Sequence, residues 1–413
     1  DGDGYREIST LCHLRWLAEN SFHWGEKYEL VNNIDASDTE DWYIGDHDND
    51  PMTDDEPMGW LPIGIYDVSQ KDLAFTGEFN GNGYKISNLN VNRPGYDNVG
   101  FFGCISSGGK VYDLNINNAD ISGNDNVGVL SGIVFSHNTD LKTSIIINNC
   151  NTSGTISGHN RVGGFAGYNY AVDGNIEYKE CNSNADFINN TGNEFNSIGG
   201  FSGHSYSEGY IQFNFCSSSG EIYINTTGEV NKVGGFAGSI NNVFVTGCSS
   251  NANVEIENTY YDFEVGGFAG FAQNSEIENS FARGNALGAS RIGGFCGYNY
   301  NSFLHNCYST GTVQGSNRGG FCGMNNSVIT GCYWDIETSG MSTSAGGIGR
   351  TTSQMMAQEN YENWDFVDFW SIETDNNDGY PFIADIISKP LEEYYFSMDN
   401  GEYDQISDMG TVH

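Results

Sequence analysis

The sequence predicts an all-β chain wound as a right-handed parallel β-helix (β-solenoid), with a short N-terminal capping helix and a C-terminal cap. Three observations predict it. A short phrase returns eight times: Val99-Gly100-Phe101-Phe102-Gly103, Val127-Gly128-Val129-Leu130-Ser131-Gly132, then GGFxG at 163–167, 199–203, 234–238, 266–270, 293–297 and 319–323. Its first glycines (100, 128, 163, 199, 234, 266, 293 and 319) stand 28, 35, 36, 35, 32, 27 and 26 residues apart, a period that belongs to stacked supersecondary units rather than to a globular core. A second landmark keeps the same period, with an apolar or aromatic residue three places before a Cys, once Ser: Ile147/Cys150, Tyr178/Cys181, Phe213/Cys216, Val245/Cys248, Ile277/Ser280, Leu304/Cys307 and Ile329/Cys332. The composition agrees, since 55 Gly, 24 Tyr and 25 Phe with only 17% charged residues describe a turn-rich β chain rather than a disordered one.

Each element follows in order. Residues 1–94 are expected to form an N-terminal cap and lead-in strands, 95–340 the repeats, 341–383 a C-terminal cap and 384–413 an acidic tail that serves as an assembly or linker segment. Residues 8–19, with Leu11, Leu14, Trp16 and Leu17 apolar, read as a short amphipathic helix. Leu30 to Ile34 and Phe75 to Leu89 read as strands that begin the stack. Three short apolar stretches per repeat, cut by Gly, Asn or Ser, predict three strands and their corners. Each coil would lie about 4.8 Å from the last in parallel register.

The paired glycines suit a corner where a side chain would obstruct the bend or the neighbouring coil. The Phe after them (101 or 102, 165, 201, 236, 268, 295, 321) is expected inside as a stack of rings, followed by a small residue. Right-handedness rests on the general rule for parallel crossovers. After Cys332 the copy departs from the pattern at Ile336 and Thr338, as a terminal coil would. Thr351 or Thr352 can cap a brief helix through Met355 and Met356, and the aromatic segment from Trp364 to Ile372 can cover the last coil.

GGFxG followed by N-C-x-S-x-G, as in Asn149-Cys150 to Gly154 and Asn306-Cys307 to Gly311, resembles the GLUG-motif repeat of bacterial surface proteins. Phe75 to Leu89 resembles the lead-in of that family, and Cys332-Tyr333-Trp334-Asp335 with Trp364 to Phe382 resembles its closing segment. The resemblance covers about residues 1–383. It implies a secreted or surface-anchored β-helix of the adhesin-like kind. Some IgA-cleaving metallopeptidases also carry the repeat, as an accessory region.

A formal charge of −38 opposes binding to nucleic acid, whose phosphates would be repelled, and suits an extracellular chain or one that binds cations. No apolar run of 18 or more residues exists, so no helical membrane span is expected. The start at Asp1 rather than Met is compatible with a removed signal peptide. Cys150, Cys181, Cys216, Cys248, Cys307 and Cys332 share one repeat position, which suits a ladder of buried thiols; disulfides between coils are the alternative.

The segment carrying Asp46, Asp48, Asp50 and, a little later, Asp54 can converge on Ca²⁺ or can be a solvated acidic loop. Tyr168 with Tyr170, and Tyr298 with Tyr300, follow the corner in two copies of Gly-Tyr-Asn-Tyr. Pointing outward beside Asn side chains, they could stack on sugars; a Tyr-rich exterior or a subunit contact would use them equally. Arg161, Lys232, Arg291 and Arg318 precede the corner as a sparse basic edge, paired with nearby carboxylates. Neither HExxH nor GxSxG is present, and acids within the coils are scattered.

The expected function is therefore a non-catalytic, secreted or cell-surface structural or adhesive solenoid: an adhesin, or a subunit of a self-assembling filament or layer. A carbohydrate-active β-helix enzyme and a non-catalytic glycan-binding module are the alternatives. The tail, with Ile386, Leu391, Tyr394, Tyr395 and Phe396, is a candidate segment for self-association.

Overall fold

Every coil of this chain lies in parallel register on the one before it, and residue pairings fix the register position by position. The computed structural model describes residues 4–45, 56–66, 73–137, 143–189, 194–257, 263–288 and 290–384. The chain divides into two compact units, Asp1–Asn363 and Trp364–His413. In the first unit, strands of successive coils assemble into an 11-stranded, a 16-stranded, a 7-stranded and an 8-stranded sheet. A typical coil contributes Asn160–Gly163, Ala166–Ala171, Asn175–Lys179 and Asn182–Asn189, one strand to each sheet. Four strands per coil replace the expected three, because the residues ahead of the paired glycines also pair between coils, as in Val127 with Val162 and Ile198 with Val233.

The repeated phenylalanine is a ring column. Phe165 stacks on Phe201 at 4.5 Å, and the column continues through Phe236 at 5.0 Å, Phe268 at 4.8 Å, Phe295 at 4.8 Å and Phe321 at 4.9 Å. All six rings are fully buried. Pairing of Ser131 with both Phe102 and Ala166 puts Phe101 and Leu130 at the same level as Phe165, so Phe101 is the first coil's member of this column. A second column, Ile147, Tyr178, Phe213, Val245, Ile277 and Leu304, meets it from the 11-stranded sheet, with Tyr178 edge-on to Phe165 and Phe201.

The second glycine of each pair is needed for close approach rather than for a special dihedral. A Cβ on Gly235 would lie 2.2 Å from the Gly267 carbonyl oxygen, and the same short distance to the next coil recurs at Gly200, Gly267 and Gly294. The N-C step is a different kind of corner. Asn149, Glu180, Phe215, Gly247, Asn279, Asn306 and Gly331 all turn left-handed, with φ between 49° and 65°, which favours Asn and Gly there. The following Cys is small enough to turn inward, and its thiol reaches the carbonyl two residues back: Cys150 to Asn148 at 3.3 Å, Cys307 to His305 at 3.2 Å. Ser280 makes the same contact at 2.7 Å, which is why Ser can stand in for Cys. Two positions later a hydroxyl crosses the interior to the second glycine, with Thr152, Ser218 and Ser309 donating to the carbonyls of Gly164, Gly235 and Gly320. All ten cysteines are free thiols, nine of them buried. Burial pushes the Cys104 thiol up to about 12 and raises Cys150, Cys216 and Cys307 well above the ordinary range.

The start of the stack is earlier than the glycine repeat. Arg6–Ile8 pairs in parallel with Lys27–Leu30, which pairs with Glu78–Asn80. Because Ile8 is used in that ladder, the helix begins later than predicted and spans Leu11–Glu19, with Thr10 as N-cap. Leu14, Leu17 and Ala18 face the core. At the far end, Asp335 caps a helical turn over Ile336–Ser339, and Thr351 closes a capping box on Thr352–Met355. The backbone N–H of each column phenylalanine donates to the next phenylalanine's carbonyl, from Phe165 through Phe295. Phe321 lacks a successor, and Ser344 Oγ takes its N–H at 3.1 Å and that of Cys322 at 2.9 Å. In the second unit, Trp370–Ser371 pairs antiparallel with Phe382–Ile383, and Trp364 packs on Trp370 at 4.4 Å.

Replacing the buried ring in Phe236→Ala is expected to cost about 3–5 kcal/mol, and Gly235→Ala about 1–3 kcal/mol through overpacking, read as lower midpoints of chemical unfolding. Thiol titration of the native chain with a water-soluble reagent should label Cys12 alone, the one exposed cysteine, and all ten only after denaturation.

Candidate functional site

Positions that do not repeat are where function can differ from scaffold, and one set of them lies on the outer face of the 8-stranded sheet. Strand alternation sends residues 168 and 170 outward and Asn169, fully buried, inward. The same holds for Tyr298 and Tyr300 around Asn299. The asparagines therefore do not flank the tyrosines on the surface. Asn169 instead donates to Ser202 Oγ at 2.9 Å and Ser205 Oγ at 3.0 Å, and accepts from the Tyr178 hydroxyl inside the coil.

Register assembles two outward rows. One runs Cys104, Ile133, Tyr168, His204, Ser239, Phe271, Tyr298, Met324, and the other runs Phe135, Tyr170, Tyr206, Asn241, Gln273, Tyr300. Tyr168 and Tyr298 thus share a row but lie four coils apart, roughly 19 Å at the usual strand spacing. Each belongs to its own aromatic group. Tyr170 contacts Phe135 at 5.5 Å, Tyr168 at 5.6 Å and Tyr206 at 5.6 Å, while Tyr66 closes on Phe135 at 5.2 Å. Tyr298 contacts Phe271 at 5.5 Å and Tyr300 at 5.9 Å. Tyr300 and Met324 are exposed at the end of the face.

Beside the first group lies a cleft of about 350 Å³ lined by Asp125, Asn160, Arg161, Tyr168, Asn196, Ser197, His204 and Lys232. Arg161, Ser197 and Lys232 occupy one corner position in three successive coils, with left-handed φ of 56°, 63° and 51°. Asn126 holds that position one coil earlier, at φ 55°. Arg161 sits 5.0 Å over the Tyr168 ring and 3.6 Å from Asp125, and Lys232 sits 5.1 Å over Phe271. Between the two cations stands His204, 5.5 Å from Tyr168. Burial, reinforced by Lys232 and Arg161, lowers the His204 pKa to about 3, so the imidazole is neutral at ordinary pH. Burial likewise raises the Tyr168 hydroxyl to about 12. The cleft offers a carboxylate, two cations, a neutral imidazole and amide and hydroxyl groups beside an aromatic floor, a set able to hydrogen-bond and stack.

The predicted basic edge is partly in place. Arg161 pairs with Asp125 and Arg291 with Glu264, while Lys232 turns to an aromatic ring. Arg318 does not belong to this row: its partner is Ile292, so Asn317 takes the corner and Arg318 the place of an inward apolar residue, where it is exposed. His204 escaped the sequence reading, although Gly203-His204-Ser205-Tyr206 aligns with Gly167-Tyr168-Asn169-Tyr170 and could have been found by that alignment. Asp46, Asp48, Asp50 and Asp54, the expected calcium ligands, lie outside the described residues, as does the tail from 385.

These features define the class of the molecule: a parallel β-solenoid whose recurring residues are Gly, Phe, Asn, Cys and Ser. The GLUG motif matches residues 288–314, one complete coil that includes Tyr298 and Tyr300, so the motif read from the sequence is present there. Over 167 residues the chain is 36% identical to halomucin of Haloquadratum walsbyi, an alignment that covers 40% of this chain and 2% of that protein. It is 30% identical over 119 residues to a "Putative Gly-rich membrane protein" of Evansella cellulosilytica, covering 28% of this chain and 12% of that one. The chain thus spans only a small part of either relative. A solved structure described as a "putative immunoglobulin A1 protease" from Bacteroides ovatus aligns with a TM-score of 0.44 and 19% identity over 93% of each chain.

The neutral His204 has a measurable consequence. In the unfolded chain a histidine takes up its proton below about pH 6.5. The folded chain resists until about 3, so stability present above pH 6.5 is lost as the pH falls. His204→Gln is expected to flatten the fall in unfolding midpoint between pH 6.5 and 5 relative to the parent chain.

Proposed function

We propose that this chain is a non-catalytic segment of an extracellular, cell-surface protein, in which a rigid solenoid presents an adhesive face to carbohydrate. The observation that carries the reading is the aromatic outer face of the 8-stranded sheet, where Tyr170, Tyr206 and, further along, Tyr300 stand in one row and Tyr298 in the row beside it, on a stiff support. Flat rings held at fixed spacing stack on the apolar faces of sugar rings, and the polar groups of the neighbouring cleft orient the hydroxyls. A net charge of −38 repels polyanions over most of the surface and directs the aromatic stripe toward neutral sugars. Similarity to halomucin and to a Gly-rich membrane protein supports a surface location. The shared positions of the repeat are spent on stacking, which supports a scaffold role for the coils and favours the varying residues as the binding surface.

The test is co-sedimentation of the full chain with a panel of insoluble neutral polysaccharides, followed by competition with soluble oligosaccharides. Binding to at least one is expected, with a loss of tenfold or more in the double variant Tyr170→Ala/Tyr206→Ala. An adhesive role for this face is refuted by failure to bind the panel, or by equal binding of parent and double variant.

A further inference from the structure

On the 11-stranded sheet, one coil carries a side-chain arrangement that its neighbours lack. Alternation in the strand Glu276–Glu278 sends Ile277 into the core and both carboxylates outward. The next strand, Phe303–His305, sets His305 directly opposite Glu278 and buries Leu304. Two residues of one strand and one of the next thus converge on a single outward spot, half-buried between neighbours. The corresponding positions of the three preceding coils are Glu177 and Lys179, Gln212 and Asn214, then Phe244 and Thr246, none of which brings two carboxylates together. The fold does not ask for acids or imidazole here.

The geometry is not that of an optimised ion pair. His305 Nε2 stands 3.2 Å from Glu276 Oε1 and 3.4 Å from Glu278 Oε2. Charge-assisted bonds close to about 2.7–2.9 Å, and one N–H cannot serve two carboxylates fully. These separations instead match the edge of a tetrahedron with metal–ligand bonds of about 2.0–2.1 Å, roughly 3.3 Å. The three ligand atoms lie within 4.8 Å of one another, and they form the one such group of three among the described residues. A supporting contact is already present: Thr246 Oγ1 donates to Glu278 Oε1 at 2.9 Å, which fixes that carboxylate and leaves Oε2 toward the histidine.

We propose that Glu276, Glu278 and His305 bind a divalent transition metal of the zinc type. One imidazole nitrogen and two carboxylate oxygens are a borderline N/O set that suits Zn²⁺ and its neighbours, whereas Ca²⁺ and Mg²⁺ take oxygen ligands. Two carboxylates balance the dication, and the open side of the site leaves room for water as a fourth ligand. The metal would tie two successive coils together from outside, independently of any sugar at the aromatic face.

Isothermal titration of the full, chelator-stripped chain with zinc chloride at pH 7.5 tests this. One site of micromolar affinity is expected, weakened tenfold or more in E278Q and in H305Q, unchanged in H159Q and not competed by millimolar calcium or magnesium. Zinc should raise the thermal midpoint of the parent chain and leave those of E278Q and H305Q unmoved. The isosteric E278Q keeps the test valid if H305Q folds poorly. The proposal is overturned if the parent chain takes up no zinc, or if E278Q binds as the parent does.

Discussion

Each residue in a coil lies against its counterpart in the next coil, and this self-contact is the constraint on which the structure depends. A position can recur only if its side chain tolerates its own copy about 4.8 Å away. Phenylalanine does so by stacking face to face, as the near-parallel rings from Phe165 to Phe321 show. Asparagine does so by amide-to-amide hydrogen bonds, as Asn182 donates to Asn151 at 2.9 Å and Asn151 to Asn115 at 2.7 Å. Carboxylates in the same register would repel. At Asp125 and Asp113 an amide lies beside the acid: Asn160 donates to Asp125 and Asn149 to Asp113. The low fraction of charged residues, the abundance of Gly and Asn and the columns of Phe are one consequence of this rule.

That rule also explains what could be read from the sequence. The ring column, the buried thiols, the small residue after Phe and the need for glycine at the corner all repeat, so the spacing of the phrase exposed them. The fourth strand of each coil escaped because residues such as Val162-Gly163 are too short a run to look like a strand in isolation; they become one only through their partners. The helix boundary moved for a similar reason, since Ile8 is claimed by a ladder with Leu30 that local pattern cannot reveal. Arg318 was misplaced although its offset was legible, for Arg161, Lys232 and Arg291 stand two residues before the first glycine and Arg318 only one.

The candidate sites were less legible, and for the opposite reason. Tyr168 and Tyr298 stood out because a phrase recurs around them, but their separation by four coils is a property of stacking order. His204, Lys232 and Arg161 come from three different coils, and Glu276, Glu278 and His305 from two; none of them is a residue that every coil keeps. A periodic scaffold makes its shared residues conspicuous and leaves its chemistry to singular ones. The GLUG motif accordingly reports how the coil is wound: within its match Phe295 makes a ring stack, Asn306 a corner, Cys307 a thiol contact and Ser309 a hydroxyl contact to a glycine carbonyl.

Ser344 ends the hydrogen-bond chain of the phenylalanine column by standing in for the carbonyl that a further coil would supply. Because it meets the same donors any interior coil would present, it is indifferent to how many coils precede it. Duplication or deletion of a whole coil would change the reach of the molecule without disturbing either terminus. Evolution can therefore lengthen such a solenoid as one extends a telescope, a segment at a time.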